Sequence, residues 1–153
     1  MWGCERLTDY AGDIEPTEAW RLMRDEGALL VDVRTPPEWS FVGTPDVSGE
    51  AAEPALLPPI FLPWADYPSM QLNPAFADQL EVEMNRRGLG ADTAIVFLCR
   101  SGVRSLGAAR AMAARGYSRA YNIEGGFEGD KDGEGHRGRT GGWKVAGLPW
   151  KQG

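Results

Sequence analysis

Short apolar runs alternate with amphipathic stretches along this chain, and the alternation predicts its elements. Two runs rich in aliphatic and β-branched residues, 28–33 and 94–98, have the length and composition of buried strands. Residues 16–24 carry apolar side chains at helical spacing behind a proline suited to a first turn, and Gly27 ends that pattern. Strands that alternate with helices indicate an α/β fold, with a mainly parallel central sheet and helices on both faces.

Three further segments complete the predicted order of elements. A helix is expected to begin with Asn73 as its cap and Pro74 as its first residue, and apolar residues then recur every four positions until Gly88. Another helix is expected over 106–115, and a short strand over 120–123.

Prolines and glycines interrupt the pattern in two places. Residues 43–59 predict an irregular surface excursion, with a short strand at 60–62 after it. Residues 124–142 predict a charged, Gly-rich loop behind the last core strand. The interpretation is an N-terminal extension over 1–13 and a single domain over 14–150, a typical domain size.

Composition and charge exclude several classes of function. The net charge of −6 argues against nucleic acid as a partner, because phosphate binding needs a basic surface. No apolar run approaches a membrane span, and the first residues lack the pattern of a secretory signal, so we expect a cytoplasmic protein without a membrane partner. The single histidine, His136, excludes most metal sites. Two cysteines, Cys4 and Cys99, are too few for a disulfide framework.

The most informative stretch surrounds Cys99, which lies between the predicted strand 94–98 and a following helix. Helix N-termini hold anions, because their first amides lack partners and the helix dipole adds positive charge. Arg100 and Arg104 add full charges, and Gly102 lets the backbone approach a ligand closely. A cysteine in such a cradle is expected to ionise readily, and the thiolate is the reactive form.

Four motifs, in order, resemble the rhodanese family of sulfurtransferases. Residues 99–104 (Cys-Arg-Ser-Gly-Val-Arg) are similar to its active-site loop, and 30–34 (Leu-Val-Asp-Val-Arg) to its early strand. Residues 121–126 (Tyr-Asn-Ile-Glu-Gly-Gly) and 142–150 resemble its last core strand and its C-terminal ending. The resemblance implies a single rhodanese-like, three-layer α/β/α domain over 14–150.

The resemblance also implies a reaction and a set of site residues. Cys99 would take a sulfane sulfur from a small anionic donor such as thiosulfate, as a persulfide, and pass it to cyanide, a thiol or a protein cysteine, without a cofactor or metal. Arg100 would face the donor's sulfonate and Arg104 would secure the loop, while Arg34 and Glu38 would pair and brace the site. The substrate-binding residues are Arg100, Ser101, Gly102, Val103 and Arg104, and the supporting residues are Asp32, Arg34, Glu38 and Ser105.

Two alternatives stay open at this point. Cysteine-dependent phosphatases and arsenate reductases also place Cys, loop and Arg at a helix start, but their loop has five residues between Cys and Arg. Only four residues separate Cys99 from Arg104, and a shorter cradle suits a single sulfur better than a tetrahedral phosphate. The second alternative is a non-enzymatic rhodanese-like module that carries sulfur or senses redox state.

Overall fold

The computed structural model describes residues 10–46, 56–66, 69, 71–100, 102–129, 133–136 and 141–151. Within them the chain forms four helices and nine strands. The helices are α1 (Pro16–Glu26), α2 (Pro36–Phe41), α3 (Phe76–Arg86) and α4 (Val103–Ala113). The strands are β1 (Gly12–Ile14), β2 (Leu29–Asp32), β3 (Thr44–Pro45), β4 (Ile60–Phe61), β5 (Ala65–Asp66), β6 (Gln71–Leu72), β7 (Ile95–Leu98), β8 (Ala120–Ile123) and β9 (Trp150–Lys151).

Five of these strands form a parallel sheet in the order β1–β8–β7–β2–β4. The remaining strands form two short antiparallel pairs, β3 with β9 and β5 with β6. Because the five strands run in the same direction, their carboxyl ends meet at one edge, where ligands bind in open α/β sheets.

Alternate residues of the central strands enter two separate cores. Leu29, Val31, Ile95 and Phe97 pack on one face of the sheet, together with apolar residues of α3 and α4. Leu30, Val96 and Leu98 pack on the other face with α1, and fully buried Trp143 joins them there. Both faces of these strands are covered, so every side chain is buried, and this explains why their sequences are continuously apolar. The predicted α/β fold, with a mainly parallel sheet between helices, is confirmed.

The structure moves two predicted helix starts. Helix α3 begins at Phe76, not at Pro74, because the Asn73 side chain accepts a hydrogen bond from the Ala75 amide at 3.1 Å and holds a turn there. Helix α4 begins at Val103, directly after Gly102 and three residues earlier than expected. The earlier start of α4 brings the helix N-terminus to the cysteine loop.

Other elements lie where the sequence predicted none. Strand β1 begins at Gly12, so the sheet includes two residues assigned to the N-terminal extension. Helix α2 follows a buried Thr35, whose amide and hydroxyl both donate to the Glu38 carboxylate, at 3.1 and 2.9 Å. Strand β3 lies inside the predicted irregular excursion 43–59, of which 47–55 fall outside the described residues. None of the described helices has the length and apolar character that crossing a membrane requires.

Candidate active site around Cys99

Cys99 follows β7 at the carboxyl edge of the sheet, between the ends of β2 and β8. Parallel registers place Phe97 beside Val31 on one side and beside Asn122 on the other. Cys99 lies two residues beyond Phe97 and points into the same core, where only 1% of its surface is exposed. The thiol is therefore held among packed side chains.

Two hydrogen bonds hold the sulfur of Cys99. The Gly102 amide donates to Sγ at 3.0 Å, and the buried Ser105 hydroxyl lies 3.2 Å from Sγ. Gly102 has a φ of +116°, a conformation that favours glycine and that lets the chain turn into α4. The sulfur thus faces the N-terminus of an 11-residue helix, where partial positive charge favours an anion. Ser101, a predicted binding residue, lies outside the described residues.

The turn after β8 supports the cysteine loop from behind. The amides of Phe127 and Glu128 donate to the carbonyl oxygens of Cys99 and Arg100, at 2.7 and 2.9 Å. A Cβ atom on Gly126 would lie 2.4 Å from the Cys99 carbonyl oxygen, so the two backbones approach as closely as glycine alone permits. The turn that contains the Gly-Gly motif therefore packs directly against the backbone of the cysteine loop.

Arg104 is fixed by Glu38 of α2. Two hydrogen bonds, both 2.8 Å, join the guanidinium to the two carboxylate oxygens. Burial opposes ionisation of Glu38, but the hydrogen bonds and charge of Arg104, aided by Thr35, outweigh burial and lower the pKa of Glu38 to about 2. The hydrogen bonds to Glu38 raise the pKa of Arg104, and the nearby Cys99 sulfur adds to that rise.

The predicted pairing of Arg34 with Glu38 is wrong. Arg34 pairs with Asp32 instead, and its Nη2 lies 2.7 Å from Oδ2; both side chains are fully buried. Arg34 also donates to the Gly43 carbonyl at 2.8 Å and stacks over the Phe127 ring at 4.3 Å. A fully buried guanidinium needs a counter-charge beside it, and Asp32 is two residues away on the same chain segment. This pair lies at the carboxyl end of β2, where Asp32 is the register partner of Leu98, the residue before Cys99.

Arg100 and Val103 are exposed, on either side of Gly102 in the cysteine loop. Val103 is 78% exposed at the first position of α4. Arg100 is also exposed, and within the described part of the chain its guanidinium has no ion-pair partner. Of the two loop arginines, Arg100 is thus the one available to an incoming anion, since Arg104 is engaged by Glu38.

Sequence reasoning missed two polar residues of the site. Asn122 is buried at 6% exposure, and its side-chain oxygen lies 2.5 Å from the Ser105 hydroxyl. Asp13 is its register partner in β1 and accepts a hydrogen bond from the Asn122 amide nitrogen at 3.0 Å. A polar residue inside the buried strand 120–123 was the available signal for Asn122. Within the described ranges, no group of three or more His, Cys, Asp or Glu residues could hold a metal ion.

The parallel sheet, the cysteine before a helix N-terminus and the Gly-Gly turn beside its loop are features that the sequence resemblance predicted. The family model described as "Rhodanese-like domain" matches residues 15–132. The chain belongs to the rhodanese-like domain family, and the resemblance expected from the sequence motifs is confirmed.

Individual relatives agree with this assignment. The chain is 41% identical to the uncharacterized protein RP600 of Rickettsia prowazekii over 130 residues, covering 85% of this chain and 88% of that protein. It is 23% identical to the thiosulfate sulfurtransferase GlpE of Actinobacillus pleuropneumoniae over 143 residues, covering 94% of this chain and 95% of GlpE. The family is therefore of the sulfurtransferase type.

Solved structures share the fold. The crystal structure of Rv0390 from M. tuberculosis matches with a TM-score of 0.78 at 42% identity, over 95% of this chain and 100% of that one. The polysulfide-sulfur transferase homodimer from Wolinella succinogenes matches with a TM-score of 0.56 at 20% identity, over 99% of this chain and 84% of that one. The second similarity concerns the fold alone.

Proposed function

We propose that this protein is a thiosulfate sulfurtransferase that carries the transferred sulfur as a persulfide on Cys99. The observation that supports this most is the setting of the Cys99 sulfur at the N-terminus of α4, where the Gly102 amide donates to it and the Ser105 hydroxyl lies 3.2 Å away. The similarity to GlpE, which is named a thiosulfate sulfurtransferase, supports the same reaction.

In the first half-reaction the Cys99 thiolate attacks the outer, sulfane sulfur of thiosulfate. A bond forms between Sγ and that sulfur, and the bond between the two donor sulfurs breaks. Sulfite leaves with the electron pair, and the outer sulfur of the new persulfide keeps one negative charge. Arg100, the residue after Cys99 and exposed to solvent, would meet the sulfonate of the donor.

In the second half-reaction an acceptor nucleophile attacks the outer persulfide sulfur. With cyanide, a carbon–sulfur bond forms, the sulfur–sulfur bond breaks, and thiocyanate and the Cys99 thiolate result. A thiol or a protein cysteine would accept the sulfur in the same way. Splitting the transfer into two displacements is covalent catalysis, and it predicts ping-pong kinetics.

The geometry favours sulfur transfer over phosphate hydrolysis. In a phosphatase the arginine of the loop would have to bind the phosphate oxygens, whereas Arg104 gives two hydrogen bonds to Glu38. Four residues separate Cys99 from Arg104, one fewer than in the phosphatase loop. Arsenate reduction also requires the loop to bind a tetrahedral oxyanion, so the engaged Arg104 and the short loop disfavour it as well.

Steady-state transfer of sulfur from thiosulfate to cyanide tests the proposal. We expect parallel double-reciprocal lines for the wild type, no activity for Cys99→Ser, and full activity for Cys4→Ser as the matched control. A non-enzymatic module would show no turnover in any of the three. If the wild type hydrolysed an aryl phosphate faster than it transferred sulfur, the phosphatase alternative would replace this one.

A further inference from the structure

A chain of hydrogen-bonded polar side chains leads from the cysteine towards the edge of the sheet, buried at Ser105 and Asn122 and exposed at Asp13. The Ser105 hydroxyl lies 3.2 Å from Cys99 Sγ and 2.5 Å from Asn122 Oδ1. The Asn122 amide nitrogen donates to Asp13 Oδ1 at 3.0 Å, and the Tyr10 hydroxyl donates to the same oxygen at 2.8 Å. The chain follows from strand register, because β1 places Asp13 beside Asn122 and β7 places Phe97 on its other side.

Asp13 dictates which way the Asn122 amide points. A carboxylate accepts hydrogen bonds and has none to donate, so the amide nitrogen must face Asp13. The carbonyl oxygen of Asn122 then faces Ser105, and a carbonyl can only accept. Within this arrangement the Ser105 hydroxyl is the donor to Asn122.

The Ser105 hydroxyl carries one proton and has two acceptors within reach. While Cys99 is a thiol, its S–H can donate to Ser105 and Ser105 can donate to Asn122, so every group is satisfied. When Cys99 is a thiolate, the sulfur and the Asn122 carbonyl compete for the same proton. In the persulfide the charge lies on the outer sulfur and Sγ is neutral. The Ser105 hydroxyl then donates to the Asn122 carbonyl again.

We propose that Asn122, oriented by Asp13, is a positioning residue that acts through Ser105 to set the balance between the thiolate and thiol forms of Cys99. Competition by its carbonyl lowers the share of thiolate in the resting protein. The same carbonyl keeps a buried hydroxyl satisfied while Cys99 carries sulfur. This role rests on the proposed function of Cys99 as the nucleophile.

The ultraviolet absorbance of the thiolate at one fixed, near-neutral pH tests the proposal without any sulfur donor. Asn122→Leu removes the competing carbonyl at similar volume, and we expect the ratio of thiolate to thiol to rise about three- to tenfold. In a Ser105→Ala background the same substitution should leave that ratio unchanged. Ser105→Thr, which keeps a hydroxyl, should restore the response. The other charged groups of the site, Arg100, Arg104, Glu38 and Asp32, stay the same in all these variants.

A second pair of variants covers the case in which Asn122→Leu does not fold. Asp13→Ala frees the amide of Asn122 to turn, whereas Asp13→Asn removes the charge and still accepts from Asn122. We expect a larger rise in thiolate for Asp13→Ala than for Asp13→Asn, and the difference should vanish in Ser105→Ala. Equal responses with and without Ser105 would overturn the proposal. Failure of the proposed function is a separate result, namely a thiosulfate-treated protein that gains no sulfur.

Discussion

Replacing Glu38 by glutamine removes the charge that holds Arg104 in place while it keeps the shape of the side chain. The two residues are joined by paired hydrogen bonds of 2.8 Å, and their side chains are only 19% (Glu38) and 17% (Arg104) exposed. Because the pair is mostly removed from water, its contribution is screened less than that of a surface pair.

The magnitude follows from the pKa of Glu38. Its folded pKa of about 2 lies below the ordinary glutamate value of about 4.3, a gap worth about 3 kcal/mol at neutral pH. The depressed pKa means that the unfolded chain binds more protons in this range, so the contribution is present above about pH 4.3 and is lost as the pH falls towards 2. About half of it has gone by pH 3.

Urea denaturation of the wild type and of Glu38→Gln, between pH 7 and pH 3, measures this contribution. We expect Glu38→Gln to lower the free energy of unfolding by about 2–3 kcal/mol at pH 7, and by roughly half as much at pH 3. Glu83→Gln is the matched control, since hydrogen bonds from Arg86 and Arg87 lower the pKa of Glu83 to about 2 on the solvated surface of α3. Its effect should be small. A cost for Glu38→Gln that is independent of pH, or no larger than that of Glu83→Gln, would refute this reasoning.

Three further predictions concern the cysteine loop and the core. Gly126→Ala should lower the free energy of unfolding, measured by urea denaturation, by well over the about 1–2 kcal/mol expected of Gly27→Ala. Both glycines have a positive φ, but of the two only Gly126 lacks room for a Cβ. Equal costs would contradict the close approach of Gly126 to the Cys99 carbonyl. Arg100→Ala should lower kcat/KM for thiosulfate about ten- to a hundredfold. The control Arg24→Ala, at an exposed arginine on α1, should leave kcat/KM unchanged. An unchanged value for Arg100→Ala would show that Arg100 does not bind the donor. Trp143→Ala should lower the free energy of unfolding in urea by about 3–5 kcal/mol. The ring is fully buried, packs edge-on against Trp20 and donates to the Pro149 carbonyl at 2.8 Å. A small cost would show that the C-terminal segment is not part of the core.

The sequence predicted the central unit of the fold well because its signals are local. The apolar run 94–98, the glycine at 102 and the alanine-rich stretch after it each specify their own conformation, and the structure places a strand, a turn and a helix there. Strand 120–123 was predicted with its observed bounds. Parallel pairing of these strands then puts Cys99 at the carboxyl edge of the sheet.

What could not be predicted depends on contacts between distant segments. Strand β1 is three residues long and exists because it pairs with β8, more than a hundred residues later. The partner of Glu38 is Arg104 and not Arg34, because Asp32 already holds the buried Arg34 and Arg104, at the start of α4, lies within reach of Glu38. Asn122 and Asp13 join the site through strand register alone, which hydrophobic periodicity does not encode.

The central claim is that Cys99 carries the transferred sulfur, and mass spectrometry after thiosulfate treatment tests it most directly. The account predicts one added sulfur atom on the intact protein, located on the peptide that contains Cys99. The added sulfur should disappear on addition of cyanide and should never appear on Cys99→Ser. A wild-type protein that gains no sulfur, or gains it on Cys4 instead, would contradict the claim.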